Sequence, residues 1–265
     1  MSLFFDVWCD DGFVLGSDVR LSGGESKFLH KLCVSGRSSR VKCAVAVCGD
    51  YPEVAINSFV DACARKDSLR EIAHLYASKW TERFSGTNDY SAVHLVGFES
   101  DSESNQPVPQ VWFWCNGKTD GSFHSNEDLQ AQLSSFSKFI PINNHIPQKL
   151  EEAHRDSLKN LKDERQAVTT YLSRFGPIFT WNGDMKFWGS AVSSIGAILE
   201  LAKHEKRAWI ANDLANLVSQ CLVFLANVGN ILMPSSSVGL SPDQQCDVVI
   251  LRSGSIERVK WADFN

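Results

Sequence analysis

At 265 residues, with 43% hydrophobic and 22% charged residues, the chain has a globular composition and enough length to bury a substantial core, as one large domain or two small ones. A formal net charge of -5, with no Lys/Arg run longer than two residues, argues against nucleic acid as the main partner. No apolar run reaches the ~18 residues of a membrane span, and no basic head with a long apolar body marks a signal peptide, so a cytoplasmic protein without membrane contact is expected.

The first fifty residues read as two tight hairpins. Ser2 to Cys9 is rich in strand formers, Asp10-Asp11-Gly12 supplies a turn, and Phe13 to Gly16 runs back, carrying Asp18 and Arg20 to the start of the first strand. A second pair, Lys31 to Ser35 and Val41 to Gly49, is joined by the basic turn Gly36-Arg37-Ser38-Ser39-Arg40. Lys31 therefore opens a strand. Asp50-Tyr51-Pro52-Glu53 has the features of a helix start, and Ala55, Phe59, Ala62 and Cys63 follow at helical spacing. Ser68-Leu69-Arg70-Glu71 is a capping box that opens a second helix, with Leu69, Ile72, Ala73, Tyr76 and Trp80 as its apolar stripe.

Ser91 to Phe98 and Gln110 to Cys115 are the next strands, separated by an acidic, serine-rich loop; Pro107 and Pro109 keep its far side extended. Trp112 and Trp114 share a face at period two, where a sheet core is favoured over a ligand platform. Three helical stretches are then expected, Gln148 to Tyr171, Phe187 to His204 and Ala208 to Gly229, with Trp181, Phe187 and Trp188 in an aromatic connection, more often inter-helix core than a substrate wall. A hairpin of Cys246 to Arg252 and Ser255 to Trp261 closes the chain. The eight cysteines, at 9, 33, 43, 48, 63, 115, 221 and 246, sit mostly inside apolar elements and include no CxxC, so they read as core residues, and neither a metal nor a cofactor is expected.

The run Asp11-Gly12-Phe13-Val14-Leu15-Gly16-Ser17-Asp18-Val19-Arg20, then Lys31 before an apolar strand, then Ala46-Val47-Cys48-Gly49 before a helix, resembles the opening of proteasome-type β-subunits. It is most like that of bacterial proteasome-like proteins of the Anbu kind, which share a late Ser-Val-Gly-Leu, here Ser237 to Leu240. The resemblance implies an α+β fold, a four-layer αββα sandwich, as a single domain over 1–265 with an enlarged helical block at about 148–230. It also implies an N-terminal nucleophile at Ser2 after removal of Met1, peptide substrates, and a homo-oligomer with ring or helical geometry.

An unassisted hydroxyl is a poor nucleophile at neutral pH, but an N-terminal residue carries its own base, an α-amine whose reference pKa is about 7.7 to 8.0. A nearby ammonium lowers that value by like-charge repulsion. By the resemblance Lys31 is that ammonium, Asp18 the carboxylate that holds it, and Gly49, at a strand-to-helix turn, the oxyanion donor. Each has an ordinary reading as well: frayed terminus, hairpin ion pair, solvated charge, backbone turn. Arg20 stays with the structural residues, and Ser236 and Ser237 are carried only as candidates for supporting the amine. The chain departs from the family in having Ser where Thr is usual, and Asn227 and Asn230 where relatives carry an acid before the late loop. Three functions follow as alternatives: a self-compartmentalised peptidase, an amidase on small acyl compounds, or a catalytically silent scaffold subunit of the same fold.

Overall fold

The computed structural model describes residues 3–19, 31–37, 39–49, 52–84, 91–100, 107–115, 140–141, 178–183, 210–232 and 246–259. They form an α+β fold of two antiparallel five-stranded sheets and three helices. In the first sheet, β1 (Leu3–Cys9) and β2 (Gly12–Ser17) make the expected hairpin, with Cys9 opposite Gly12 across the Asp10-Asp11 turn. Beyond β2 lie β9 (Asp247–Arg252) and β10 (Ser255–Val259), and on the other side of β1 lies β8 (Ile178–Gly183), in the order β10-β9-β2-β1-β8. The second sheet runs β3-β4-β5-β6-β7, from β3 (Leu32–Val34), β4 (Cys43–Gly49), β5 (Ser91–Ser100), β6 (Pro107–Cys115) and β7 (Ile140–Pro141).

The pleat sorts the side chains. In β1, Phe5, Val7 and Cys9 join Val14, Val248 and Ile250 against Ala211, Leu214, Ala215, Val218 and Leu222 of α3 (Ala211–Leu232). The alternate residues, Phe4 and Asp6, meet His94 of β5, and Phe13 of β2 meets Phe98. The second sheet turns Cys43, Val45, Val47, Val93, Leu95 and Trp112 towards α1 (Pro52–Arg65) and α2 (Leu69–Phe84), where Ala55, Phe59, Ile72 and Tyr76 complete the core. Trp112 is thus the sheet-core residue its spacing suggests. The Ser68 cap of the expected capping box forms, with the Glu71 amide donating to Ser68 Oγ at 3.2 Å, while the Glu71 side chain meets the Ser68 hydroxyl, which donates to Oε2 at 3.4 Å.

Close approach of α3 to β2 depends on Gly16. A Cβ there would lie 2.3 Å from Val218 Cγ1 and 3.0 Å from Leu222 Cδ1, so any side chain would push the helix off the sheet.

One strand was hidden in the sequence. Ile178–Gly183, which contains Trp181, is read there as belonging to a helical block and its aromatic connection, yet it pairs with β1 along its own whole length, from Leu3 opposite Gly183 to Trp8 opposite Ile178. Six residues of mixed character give no period to read, and what makes them a strand is the free edge of β1. The helix expected over Ala208 to Gly229 is found at Ala211–Leu232. The stretches Gln148 to Tyr171 and Phe187 to His204 lie outside the described residues, as does the Asp50 cap.

Asp11 also does more than form a turn. Its Oδ1 accepts the Ala211 amide at 2.7 Å, capping the first turn of α3, while its Oδ2 accepts Arg252 Nε at 3.0 Å, and Arg252 Nη2 donates to Asn212 Oδ1 at 2.8 Å. A carboxylate at a helix N-terminus satisfies an orphan amide and opposes the helix dipole. We expect Asp11→Ala to lower stability by about 1–2 kcal/mol, read as a fall in the urea midpoint, with Asp11→Asn recovering much of the loss because the amide oxygen still caps.

Candidate active site

The β1–β2 register brings Phe4 opposite Ser17, so Asp18 lies one position further on, beside the start of β1. Lys31 immediately precedes β3, and its carbonyl accepts the Val47 amide of β4 at 3.0 Å. These two anchors, one in each sheet, place Lys31 Nζ 2.9 Å from Asp18 Oδ1 and 2.8 Å from Oδ2. The side chains are each 1% exposed. The pair expected from the sequence therefore exists, as a bidentate, buried contact that joins the two sheets. The Ser17 hydroxyl donates to the Asp18 carbonyl at 2.7 Å, fixing the backbone at that point.

Gly49 ends β4, opposite Ser91, with a backbone φ of 100°. That is a conformation an L side chain takes only with strain, and it turns the chain out of the strand shortly before α1 begins at Pro52. The ordinary reading of Gly49 as a turn residue is therefore met. An amide at such a turn, ahead of a helix N-terminus, is also suited to meeting a developing negative charge. Ser2, Arg20, Ser236 and Ser237 lie outside the described residues.

Two polar pairs near this region carry no motif. His94 Nδ1 of β5 is hydrogen-bonded to Asp6 Oδ2 of β1, both side chains 3% exposed, with the Phe4 ring edge-on to the imidazole. Asp247 of β9 sits directly opposite Ser17 and bonds Arg258 of β10. Asp6 and His94 each stand in an apolar strand at a position whose parity assigns them to the inter-sheet face, which is the only signal the sequence carries for their meeting.

Cys9, Cys33, Cys43, Cys221 and Cys246 do not supply a rival nucleophile. Burial pushes the Cys221 and Cys246 thiols up to about 11 and Cys9 higher still, and Cys33 is raised by the same cause. Cys43, whose sulfur lies 3.8 Å from that of Cys63, is raised by their hydrogen bond and by burial. Thiols so held are protonated at neutral pH and poorly reactive. Among the described residues no group of three His, Cys, Asp or Glu side chains is placed to hold a metal, and no helix is long and apolar enough to cross a membrane.

No protein-family model matches the sequence, and no curated protein matches it. Solved structures do. Anbu (ancestral beta-subunit) from Yersinia bercovieri superposes with a TM-score of 0.55 at 13% identity, over 98% of this chain and 87% of that one. The chain has the Anbu fold. Anbu from Hyphomicrobium sp. strain MC1 gives 0.55 at 10% identity, covering 98% and 88% of the two chains. The Anbu complex from Pseudomonas aeruginosa, solved as a helical assembly, gives 0.52 at 12% identity, covering 98% and 87%. The resemblance inferred from the opening motifs is thus found again in three dimensions, with a similarity spread over nearly the whole chain.

The Lys31–Asp18 contact also has a stability signature. Removing one partner of a buried ion pair strands the other charge, at a cost of about 3–5 kcal/mol, whereas removing both leaves a neutral gap. Lys31→Met should therefore unfold at markedly lower urea than Asp18→Asn/Lys31→Met. A single variant as stable as the double would contradict the buried pairing.

Proposed function

We propose that this protein is an N-terminal-nucleophile hydrolase of peptide bonds, built as a four-layer αββα sandwich and working as a homo-oligomer with ring or helical geometry. Ser2 is the nucleophile, once it is the first residue of the mature chain. Lys31, held by Asp18, sets the electrostatics of its α-amine, and the Gly49 amide receives the oxyanion. Helices α1 and α2 on one sheet, α3 on the other, and polar contacts between the sheets support the layered arrangement.

The observation that carries this reading is the buried ion pair at the start of β1. Desolvating a lysine and an aspartate so thoroughly gains little or no stability over an apolar pair, so a fixed charge at that place calls for another use. Phe4 and Asp6 of β1 lie on the face that meets the other sheet, and Lys31 brings its charge close to the start of that strand. There a positive charge would hold the α-amine neutral and ready to accept a proton.

The chemistry then follows in balanced steps. The amine takes the Ser2 hydroxyl proton as Oγ attacks the substrate carbonyl, and the oxyanion forms against the Gly49 amide. Collapse breaks the C–N bond, and the ammonium returns its proton to the leaving amine. Water, deprotonated by the same amine, attacks the acyl ester; the C–Oγ bond breaks, the ammonium returns its proton to Oγ, and the acid is released. Ser236 and Ser237 remain the candidates for steadying the amine. A small acyl amide in place of a peptide would follow the same path.

The decisive test compares the mature protein with Ser2→Ala. Intact mass should report loss of Met1, and Ser2→Ala should abolish hydrolysis of peptide and peptide-ester substrates while leaving the circular dichroism spectrum unchanged. Equal activity in the two proteins overturns the nucleophile. An assembled protein that cleaves nothing would instead be the silent scaffold of the same fold. Light scattering at micromolar concentration should show an assembly well above the 29.5 kDa of one chain, and a monomer would remove the compartment but not the fold.

Lys31 can be tested by pH. At a temperature where Lys31→Met is folded, its amine should titrate higher than that of the wild type and be more protonated at neutral pH. Hydrolysis should fall by orders of magnitude near pH 7 and recover partly as pH rises, because deprotonation restores the base. An unchanged pH–rate profile would make Lys31 a structural charge.

A further inference from the structure

From two thiols in contact on the helix side of the second sheet, we infer that Cys43 and Cys63 are a redox-modification site, which a peroxide closes to a disulfide that clamps α1 onto β4. The Lys31–Asp18 pair, which joins the two sheets, plays no part in it.

The two sulfurs lie 3.8 Å apart, and the elements around them fix that approach. Cys43 opens β4, where its carbonyl accepts the Ser35 amide at 2.8 Å and its own amide donates to Ser35 Oγ at 3.1 Å. On its other side it stands opposite Gly97 of β5, at which a Cβ would lie 2.9 Å from Cys43 Cβ and 2.9 Å from Leu69 Cδ1. The missing side chain is what lets Cys43 and α2 settle together over β5. Cys63 stands in the last turn of α1 and is 8% exposed, against 0% for Cys43. A third thiol, Cys33 of β3, is half-buried opposite Val45, two positions along β4 from Cys43, and packs against the same core. All three are free thiols.

Helix ends fray before helix middles, so Cys63 is the thiol an oxidant meets first. Its thiolate attacks one oxygen of hydrogen peroxide; the O–O bond breaks, a sulfenic acid forms, and the other oxygen leaves as water with the thiol proton. Cys43 Sγ then attacks the Cys63 sulfur, the S–O bond breaks, and the hydroxide leaves as a second water with the Cys43 proton. The two thiols lose two electrons in all, and the peroxide gains them. The hydrogen bond to Cys63 and burial hold the Cys43 thiol protonated, which suits it to the second step and not the first. The distance between the sulfurs shortens from 3.8 Å to about 2.05 Å, a change that side-chain rotation and a small shift of the last turn of α1 supply. The new bond closes a loop from residue 43 to residue 63 that holds β4, the Gly49 turn and most of α1. Closing such a loop removes freedom from the unfolded chain, and a reducing thiol reopens it by exchange.

The full chain, reduced and then freed of reductant, is treated with hydrogen peroxide in native buffer, denatured in N-ethylmaleimide and mapped by mass spectrometry without reduction. We expect a cross-linked peptide joining Cys43 to Cys63, lighter than its two parts by two hydrogens. The urea midpoint should rise by about 1 M, and dithiothreitol should reverse both changes. Cys43→Ala and Cys63→Ser, each checked for folding by circular dichroism, should show neither change, whereas Cys33→Ser should show both. Thiols left unreacted, a Cys63 carried on to sulfinic acid while Cys43 is still alkylated, or a link from either residue to a third cysteine each overturns the site. A Cys43–Cys63 bond that leaves the urea midpoint unchanged or lowers it overturns the clamp. Should Cys43→Ala or Cys63→Ser not fold, the wild-type map and its urea midpoint decide the matter without them.

Discussion

A lysine ammonium held between two carboxylate oxygens, out of reach of water, is the constraint around which the two sheets are arranged. Such a contact tolerates little displacement, because stretching it by an ångström or two exposes neither charge to solvent and leaves both poorly paired. It therefore fixes the end of β2 relative to the start of β3. The Asp6–His94 hydrogen bond fixes β1 relative to β5. Arg258, which bonds Asp247 and donates to the Leu32 carbonyl, fixes β10 and β9 relative to Leu32. Three polar ties, each between strands of different sheets, set how the sheets face one another.

The outer faces are built differently. Between α3 and the first sheet, and between α1, α2 and the second, the buried side chains are almost wholly aliphatic or aromatic, and Gly16 lets α3 approach at a single point. Apolar packing is forgiving in direction and favourable in free energy, at about 25 cal/mol per Å² removed from water. Polar ties are the reverse. The stability of this fold is thus assigned to apolar burial, in the helix–sheet layers and also between the sheets, where Phe4, Trp8 and Phe13 are buried, and its inter-sheet geometry to a few directional contacts that contribute little stability of their own.

That division also explains what could be read from the sequence. The β1–β2 hairpin, the Ser68 cap and the apolar stripes of α1 and of α2 are local, so each signal lies within a single helix or hairpin and the elements fall within a few residues of their expected bounds. The Asp18–Lys31 contact was expected because a known motif joins two segments only 13 positions apart. Ile178–Gly183 was missed because a strand so short is specified by its partner, β1, some 170 positions away in the chain by the Trp8 to Ile178 pairing. The Asp11 cap on Ala211 and the Arg258 contact with Leu32 span 200 and 226 positions, and nothing in Asp10-Asp11-Gly12 distinguishes a turn carboxylate that also caps a helix. Composition marks such residues as polar and no more.

The same physics bears on why an N-terminal site would be placed between sheets. A reacting amine needs neighbours that stay fixed while charge moves, since donors and charges that must reorient at the transition state lose much of their effect. Loops cannot supply that rigidity, whereas strands tied across a narrow gap can. Here Asp18 leaves β2, Lys31 enters β3, and Gly49 leaves β4, so all three described candidates stand at strand ends rather than on long connections. Behind them β2 is buried throughout and β4 from Cys43 to Val47, while β3 is buried at Leu32 and half-buried at Cys33 and Val34. The cost of holding such a pair lies in the fold: the desolvation of Lys31 and Asp18 is offset during folding by the apolar layers, which leaves a fixed charge of the kind the proposed site would use.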